Sequence, residues 1–468
     1  MTSSVEVSAW LLFLLATFAA WAIGEHLVLP VLRWLVRHPA EQVIYELGER
    51  LRIAIRPFQR TRRQALIHRL VADPKVQEAA EEFARRDGVT VTVALAKVER
   101  YAREIVPAFN AYLYFRVGYW LGRRIAQSLY RVRLGYVDAQ GLAAIDPEAT
   151  VVFVMNHRSN MDYVLAGYLA ADQAALSYAV GEWARIWPLS ALVRAMGAYF
   201  VRRNSQDGLY RRVLERYIAM ATEAGVPQAV FPEGGLTRDG RVREPRLGVL
   251  DYMMRGFAPD SGRDLVFVPL ALNYDRVLED RSLLLAAEKD SRKPGRFRAL
   301  WTALRFVGHN LALMARSEWH RFGYACVNFG APISMRAYCA SHAIDFRRLA
   351  GEPRLQAMAD LGRHLMGAVG RIVPVVPVAL MANIFVGEPR RAFSALELKA
   401  DAERLLEQLE RAGAHVYLPR RDFDYALSVG LRMLTLRRLV EETHGLFRAR
   451  ESELPLLRYY ANSIAHLL

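Results

Sequence analysis

Thr150-Val-Val-Phe-Val-Met155 runs directly into Asn156-His-Arg-Ser-Asn-Met-Asp162, and the reading of this stretch decides the fold. The apolar run reads as a buried strand. A strand that ends in a dense polar heptad is where an open α/β sheet places its chemistry. Within the heptad, four residues separate His157 from Asp162. If the chain turns from loop into helix near Asp162, the carboxylate folds back onto one imidazole nitrogen. The other nitrogen then faces a pocket as a base, which is the orienting half of a triad without its serine. Ser159 is a poor nucleophile, because it lies two residues from His157 and lacks the strained elbow that exposes catalytic serines.

Similar short runs recur after it, with helical stretches between them: Leu176–Val180, Tyr199–Val201, Gln228–Phe231 and Leu265–Leu270. That alternation predicts an α/β fold, a mostly parallel sheet flanked by helices. No repeat of 20–50 residues is present. Polar residues again gather at the strand ends. Gly197-Ala-Tyr-Phe-Val-Arg-Arg-Asn204 puts Arg202 and Arg203 after a strand, and the planar fork of arginine suits phosphate oxygens. In Phe231-Pro-Glu-Gly-Gly-Leu-Thr-Arg-Asp-Gly240, Gly234 and Gly235 let backbone amides approach an anion, and Thr237 and Arg238 offer a hydroxyl and a guanidinium. Glu233 is placed to hold a hydroxyl or to brace the loop. Val268-Pro-Leu270, leading into Asn273-Tyr-Asp-Arg276, reads as a further strand end lining the cleft.

The flanks differ from this centre. Ala9 to Ile23 is free of charge, and Ala9–Val36 as a whole is long enough to span a bilayer if kinked. Arg33, Arg37, Arg50 and Arg52 lie in or after it, which places the bulk of the chain on the cytoplasmic side of a membrane. Glu41–Arg52, Arg60–Ala72, Val76–Arg86 and Val91–Ile105 have helical spacing, with Pro74 and Gly88 as breakers. Tyr112–Val132, rich in aromatics with arginines toward its end, reads either as an interfacial amphipathic helix or as a core helix. Beyond residue 340, Phe346–Val369, Ala395–Ala412 and Asp422–Leu446 have helical spacing, and Ile372–Phe385 is an apolar patch broken by two prolines. Four regions follow: a membrane anchor (1–40), a helical N-terminal domain (41–135), a catalytic domain (136–340) and a helical C-terminal domain (341–468).

Composition narrows the partners. The 468 residues carry a formal net charge of +15, and 53% are hydrophobic; mean hydropathy is +0.05 and the pI is about 9.9. Such a balance suits anionic lipids or phosphorylated substrates. No helix-turn-helix, zinc spacing or RNA-recognition motif points to nucleic acid. Cys326 and Cys339 show no metal spacing and fit a reducing compartment. No metal and no organic cofactor is indicated.

Taken in order, NHRSNMDY, GAYFVRRN, FPEGGLTRDGR and the Val-Pro pair resemble the four motif blocks of the glycerolipid acyltransferases. With Val327-Asn-Phe-Gly-Ala-Pro-Ile333 and the terminal Tyr459-Tyr-Ala-Asn-Ser-Ile-Ala-His466, they look like the bacterial membrane glycerol-3-phosphate acyltransferases and their dihydroxyacetone-phosphate relatives, from about residue 40 to the end. The resemblance implies that His157 is the general base, oriented by Asp162. It implies that Arg202, Glu233, Gly234, Gly235, Thr237 and Arg238 surround the acceptor's phosphate, and that Val268 and Pro269 belong to the acyl-donor cleft. The implied partners are glycerol 3-phosphate, acyl-CoA or acyl-carrier-protein, and anionic membrane lipids at the cytoplasmic membrane. One departure stands out. The family's third block commonly has an arginine where this chain has Leu236, so one phosphate-contacting charge is either missing or replaced by Arg203, Arg241 or Arg243. It also keeps dihydroxyacetone phosphate and a lysophospholipid open as acceptors. A basic, non-catalytic membrane scaffold is the alternative outside enzymes.

Overall fold

The computed structural model describes residues 56–170, 176–180, 189–202, 205–260, 262–286 and 322–468. The expected anchor within residues 1–40, the helix at 41–52 and Arg203 lie outside them. Among the described residues, no helix is long and apolar enough to cross a membrane.

The centre is an eight-stranded, mostly parallel sheet. Its strands are β1 (Arg131–Val137), β2 (Thr150–Met155), β3 (Ser177–Val180), β4 (Tyr199–Phe200), β5 (Gln228–Val230), β6 (Leu265–Tyr274), β7 (Tyr324–Phe329) and β8 (Ile333–Ser334). The order is β1-β7-β6-β2-β5-β3-β4, with β8 paired to β6. Parallel pairing joins β6, β2, β5, β3 and β4, while β7 and β8 run antiparallel to β6. The strand β6 extends to Tyr274, past its expected end at Leu270, because Leu270–Tyr274 also pair with β7. Pro269 sits where the outer edge of β6 changes partner, between β8 at Phe267 and β7 at Leu270. A residue without an N–H is tolerated at such a break in the ladder.

Alternation in β2 sorts the core into two layers. Phe153 and Met155 belong to one buried cluster, and Val152 and Val154 to the other. The first contains residues of α5 (Met161–Ala170), α12 (Pro377–Gly387) and α15 (Leu454–Ala461). The second contains residues of α1 (Arg63–Val71), α2 (Pro74–Asp87), α3 (Val91–Ile105), α7 (Gly208–Glu223), α8 (Gly248–Met254) and α11 (Gly351–Arg371). Further helices, apart from turns of five residues or fewer, are α4 (Tyr119–Leu129), which continues a π-helical turn at Leu113–Gly118, α6 (Leu189–Ala195), α9 (Asp280–Leu285), α10 (Met335–His342), α13 (Ala395–Arg411) and α14 (Phe423–Leu436). Buried residues of both flanking regions therefore share their clusters with the sheet instead of forming cores of their own.

The C-terminal region departs from the all-helical expectation. The helix expected over Asp422–Leu446 stops at Leu436, and Val440–Thr443 (β10) and Leu446–Ala449 (β11) form a hairpin that pairs with β9 (Ala392–Ser394). Arg438 leaves the helix at φ 57°, and the two-residue turn His444-Gly445 has φ 51° and 75°. Positive φ at both central residues gives the turn whose twist matches a hairpin. The proline-broken patch forms α12, which starts on Pro377 and is almost wholly buried.

Candidate active site

The loop after β2 is held from all sides. Asn156 imitates a strand residue across the end of the sheet, giving its amide N–H to the Leu272 carbonyl (2.9 Å) and accepting the Leu272 N–H (2.8 Å). The His157 N–H is donated to Glu233 Oε1 at 3.0 Å, and the His157 carbonyl accepts the Thr237 N–H at 3.0 Å. The loop after β5 thus clamps the backbone of the loop after β2. Asp162, in the first turn of α5 and fully buried, gathers the rest. Its Oδ2 accepts from His157 Nδ1 (2.9 Å), the Arg158 N–H (2.7 Å) and the Ser159 N–H (2.9 Å), and its Oδ1 accepts from the Tyr274 hydroxyl. A carboxylate bonded this fully fixes the imidazole with Nδ1 as the donor and leaves Nε2 to act as a base.

His157 stacks on Phe231 (centroids 4.1 Å apart) and meets the edge of Tyr163 at 5.3 Å. It lines a cavity of about 280 Å³ together with Arg202, Arg211, Gly234, Gly235 and Arg246. A second cavity of about 240 Å³ lies beside it, lined by residues such as Leu121, Val164, Tyr168, Val193 and Met196. Tyr163 and Val180 line both. One cavity is cationic at its mouth; the other is almost entirely apolar.

Several expected residues meet at the first cavity, and others do not. His157, Arg202, Gly234 and Gly235 surround it, with Asp162 directly behind. Arg202 is held by Glu104 of α3 through Nε (2.9 Å) and Nη2 (2.5 Å), and it lies 5.1 and 4.9 Å from the ring centroids of Tyr101 and Tyr210. The hydrogen bonds to Glu104 raise the guanidinium further above its usual range. Gly234 has φ +70°, and a Cβ there would lie 2.5 Å from Cδ of Arg246, so the glycine is what lets Arg246 pass.

Glu233 is buried beneath the loop, with Oε2 lacking a hydrogen-bond partner. Burial pushes its carboxyl up to about 8, against the pull of the His157 N–H and the Arg158 charge. The Thr237 hydroxyl turns into its own loop, within reach of Asp239 Oδ1 (3.0 Å) and the Arg241 carbonyl (2.9 Å), and it accepts the Gly240 N–H (3.1 Å). Arg238 is exposed and bonds the Ala286 carbonyl. Val268 and Pro269 lie inside the sheet, paired with Phe153 and Val154 of β2, and line neither of these two cavities.

Residues to which the sequence reading gave no role complete the site. Glu279 takes the Ser159 hydroxyl (2.8 Å) and both the N–H and side chain of Asn160, and its carboxyl is raised by burial. Ser159 is thereby occupied in holding the loop. Tyr274 and Glu104 are the partners of Asp162 and Arg202, and Arg246 reaches the cavity. Arg158, which stacks 5.2 Å from the Tyr459 ring and bonds the Gly240 carbonyl, ties the loop to α15.

Residues 136–273 match the acyltransferase family, and residues 311–468 match the glycerol-3-phosphate acyltransferase C-terminal region. Two acyltransferase family models thus match successive parts of this chain. The glycerol-3-phosphate acyltransferase of Pseudomonas putida (strain W619) is 29% identical over 426 residues, which is 86% of this chain and 49% of that one. That of Xanthomonas campestris pv. campestris is 25% identical over 437 residues, 89% of this chain and 47% of the other. The chain thus spans about half the length of the curated relatives it matches. A 1-acyl-sn-glycerophosphate acyltransferase from Thermotoga maritima aligns with TM-score 0.31 and 16% identity over 54% of this chain and 78% of that one, too slight a likeness to carry an argument.

Proposed function

We propose that this chain transfers a fatty acyl group from acyl-CoA or acyl-carrier-protein to the 1-hydroxyl of glycerol 3-phosphate, at the cytoplasmic face of a membrane. One observation carries the reading: an oriented histidine opens onto a cationic cavity that shares two walls with an apolar one. His157 Nε2 takes the proton as the acceptor's hydroxyl oxygen forms its bond to the thioester carbonyl carbon. The C–S bond then breaks, and the proton passes to the departing thiolate. No covalent intermediate on the protein is needed. General-base help of this kind is worth about 10² to 10⁴ in rate.

The two cavities divide the substrates. Arg202, Arg211 and Arg246 face the acceptor's phosphate, and the apolar cavity takes the acyl chain in place of the Val268–Pro269 strand. Arg246 answers the departure at Leu236, which packs against the core. The names of the relatives above favour glycerol 3-phosphate over dihydroxyacetone phosphate or a lysophospholipid.

The test is an acyl-transfer assay in detergent micelles that crosses both donors with the three acceptors. Glycerol 3-phosphate is expected to be acylated fastest, and much faster use of another acceptor overturns its assignment. Arg246→Ala is expected to raise KM for the acceptor roughly ten- to hundredfold with a smaller change in kcat, as fits one charge-assisted contact. An unchanged KM removes Arg246 from the phosphate site.

A further inference from the structure

From residue 105 to residue 137 the sequence holds five arginines and no Asp or Glu. The structure folds this stretch into the π-helical turn, α4 and the edge strand β1, and it exposes the arginines: Arg116, Arg123 and Arg124 on the helical part, Arg131 and Arg133 on the strand. Among the described residues none of the five forms an ion pair. Between them stand exposed apolar side chains, with Trp120 at 60% and Leu134 at 53% exposure. A single exposed leucine is ordinary on a solvated surface, but here Trp120, Ile125, Leu134 and Tyr136 are exposed on the same two elements as four of the arginines. An anionic bilayer surface takes both, since aromatic and aliphatic groups sit at the acyl boundary while arginines meet the headgroups.

The same elements border the apolar cavity. Leu121, Gly122 and Ile125 of α4 line it, and Ile125 is itself partly exposed. Tyr168 lines that cavity and also a groove formed with Gln127, Arg131, Arg133 and Leu134. The basic groove and the apolar cavity therefore adjoin on one side of the molecule.

We propose that the face built by α4 and β1, centred on Trp120, Arg123 and Arg124, seats the protein on an anionic lipid bilayer. Seated this way, the apolar cavity opens beside the acyl layer while the loops after β4 and β5 stay in water. The benefit to acyl-chain entry rests on the function proposed above; the docking itself does not. An acidic protein could match the arginines, but the face adjoins the apolar cavity, which an acyl layer would continue and an acidic surface would not, so the bilayer is the favoured occupant.

Both native cysteines are buried, so a thiol dye can be directed to an added one. Gln127→Cys places it in the groove, and Leu396→Cys, at a position 78% exposed on α13, serves as the reference. The full chain is mixed with vesicles of phosphatidylcholine alone or with phosphatidylglycerol, carrying a headgroup spin label. The dye at 127 is expected to shift blue and be quenched several-fold more than the dye at 396, with phosphatidylglycerol only. Arg123→Glu with Arg124→Glu is expected to lower that response and to weaken vesicle binding on the order of tenfold or more. Equal quenching at 127 and 396 overturns the proposal. So does a double variant with unchanged quenching and a raised KM for an acyl-carrier-protein donor, which assigns the face to an acidic protein. Quenching at 127 in a protein that transfers no acyl group keeps the docking and refutes the function.

Discussion

The two cavities that meet at Tyr163 and Val180 are made of different material. The cationic one is built from loops at the ends of β2, β4 and β5, and its key groups are fixed by hydrogen bonds to backbone. The apolar one is built mostly from helix faces, where Gly118, Gly122 and Gly167 leave space between apolar side chains such as Leu121 and Val164. A hydrogen-bonded site fails when one group is removed, because its partners are left buried and unsatisfied. A cavity walled by glycines fails when something is added. Removal on one side and addition on the other should therefore give different kinds of loss.

The largest effect belongs to the first kind. His157→Ala is expected to lower kcat by about 10² to 10⁴ for every donor chain length alike, since the base acts on the hydroxyl and not on the chain. Steady-state rates across short and long donors check this, beside an unfolding curve showing that the variant folds. A loss confined to long donors would merge the two cavities into one function, and full activity would remove His157 as the base.

The carboxyl under the loop tests the same side by pH. Burial holds Glu233 up to about 8, while an unfolded glutamate titrates near 4.3. The folded state thus keeps a proton that the unfolded chain releases. That contribution is fully present below about pH 4 and is lost as pH rises through about 8. In Glu233→Gln nothing titrates there, so its melting temperature is expected to gain on the wild type by several degrees between pH 5 and pH 8.5. A gap that stays constant over that range would mean that Glu233 is ionised throughout.

These two sides were not equally legible in the sequence. Five strands fell within a few residues of their expected places, since strands buried on both faces read as unbroken apolar runs. The His157–Asp162 pair was legible because its spacing is local. Glu104, Glu279 and Tyr274 were not, for each reaches its partner from about 100 residues away along the chain. Arg246 gave no pattern either: it arrives only because its N–H bonds the Pro232 carbonyl and Gly234 clears its side chain. Thr237 and Arg238 show the converse, residues of suitable chemistry in the right loop that the fold turns elsewhere. The apolar cavity left no motif at all, because an absence of side chain on Gly122 and Gly167 carries no chemistry to recognise. The hairpin β10–β11 was masked by apolar spacing that suits a helix until the His444-Gly445 turn.

The smallest effect should come from filling the second cavity. Gly167 lies within α5 and lines the apolar cavity, and a Cβ there meets nothing within 4 Å. Gly167→Leu would start from a Cβ that displaces no neighbour and extend its side chain into the cavity. It would also replace the residue that costs a helix interior about 0.8–1 kcal/mol relative to good helix formers. Stability and function are therefore expected to move in opposite directions. The unfolding midpoint should hold or rise, while kcat/KM for long-chain donors falls about tenfold relative to short-chain ones, the scale set by excluding a few methylenes from an apolar pocket. His157→Ala cannot imitate this pattern, because it has no reason to discriminate by length. Unchanged chain preference in a stable Gly167→Leu protein would show that the acyl group lies elsewhere, and would leave the cationic cavity as the only substrate site of the pair.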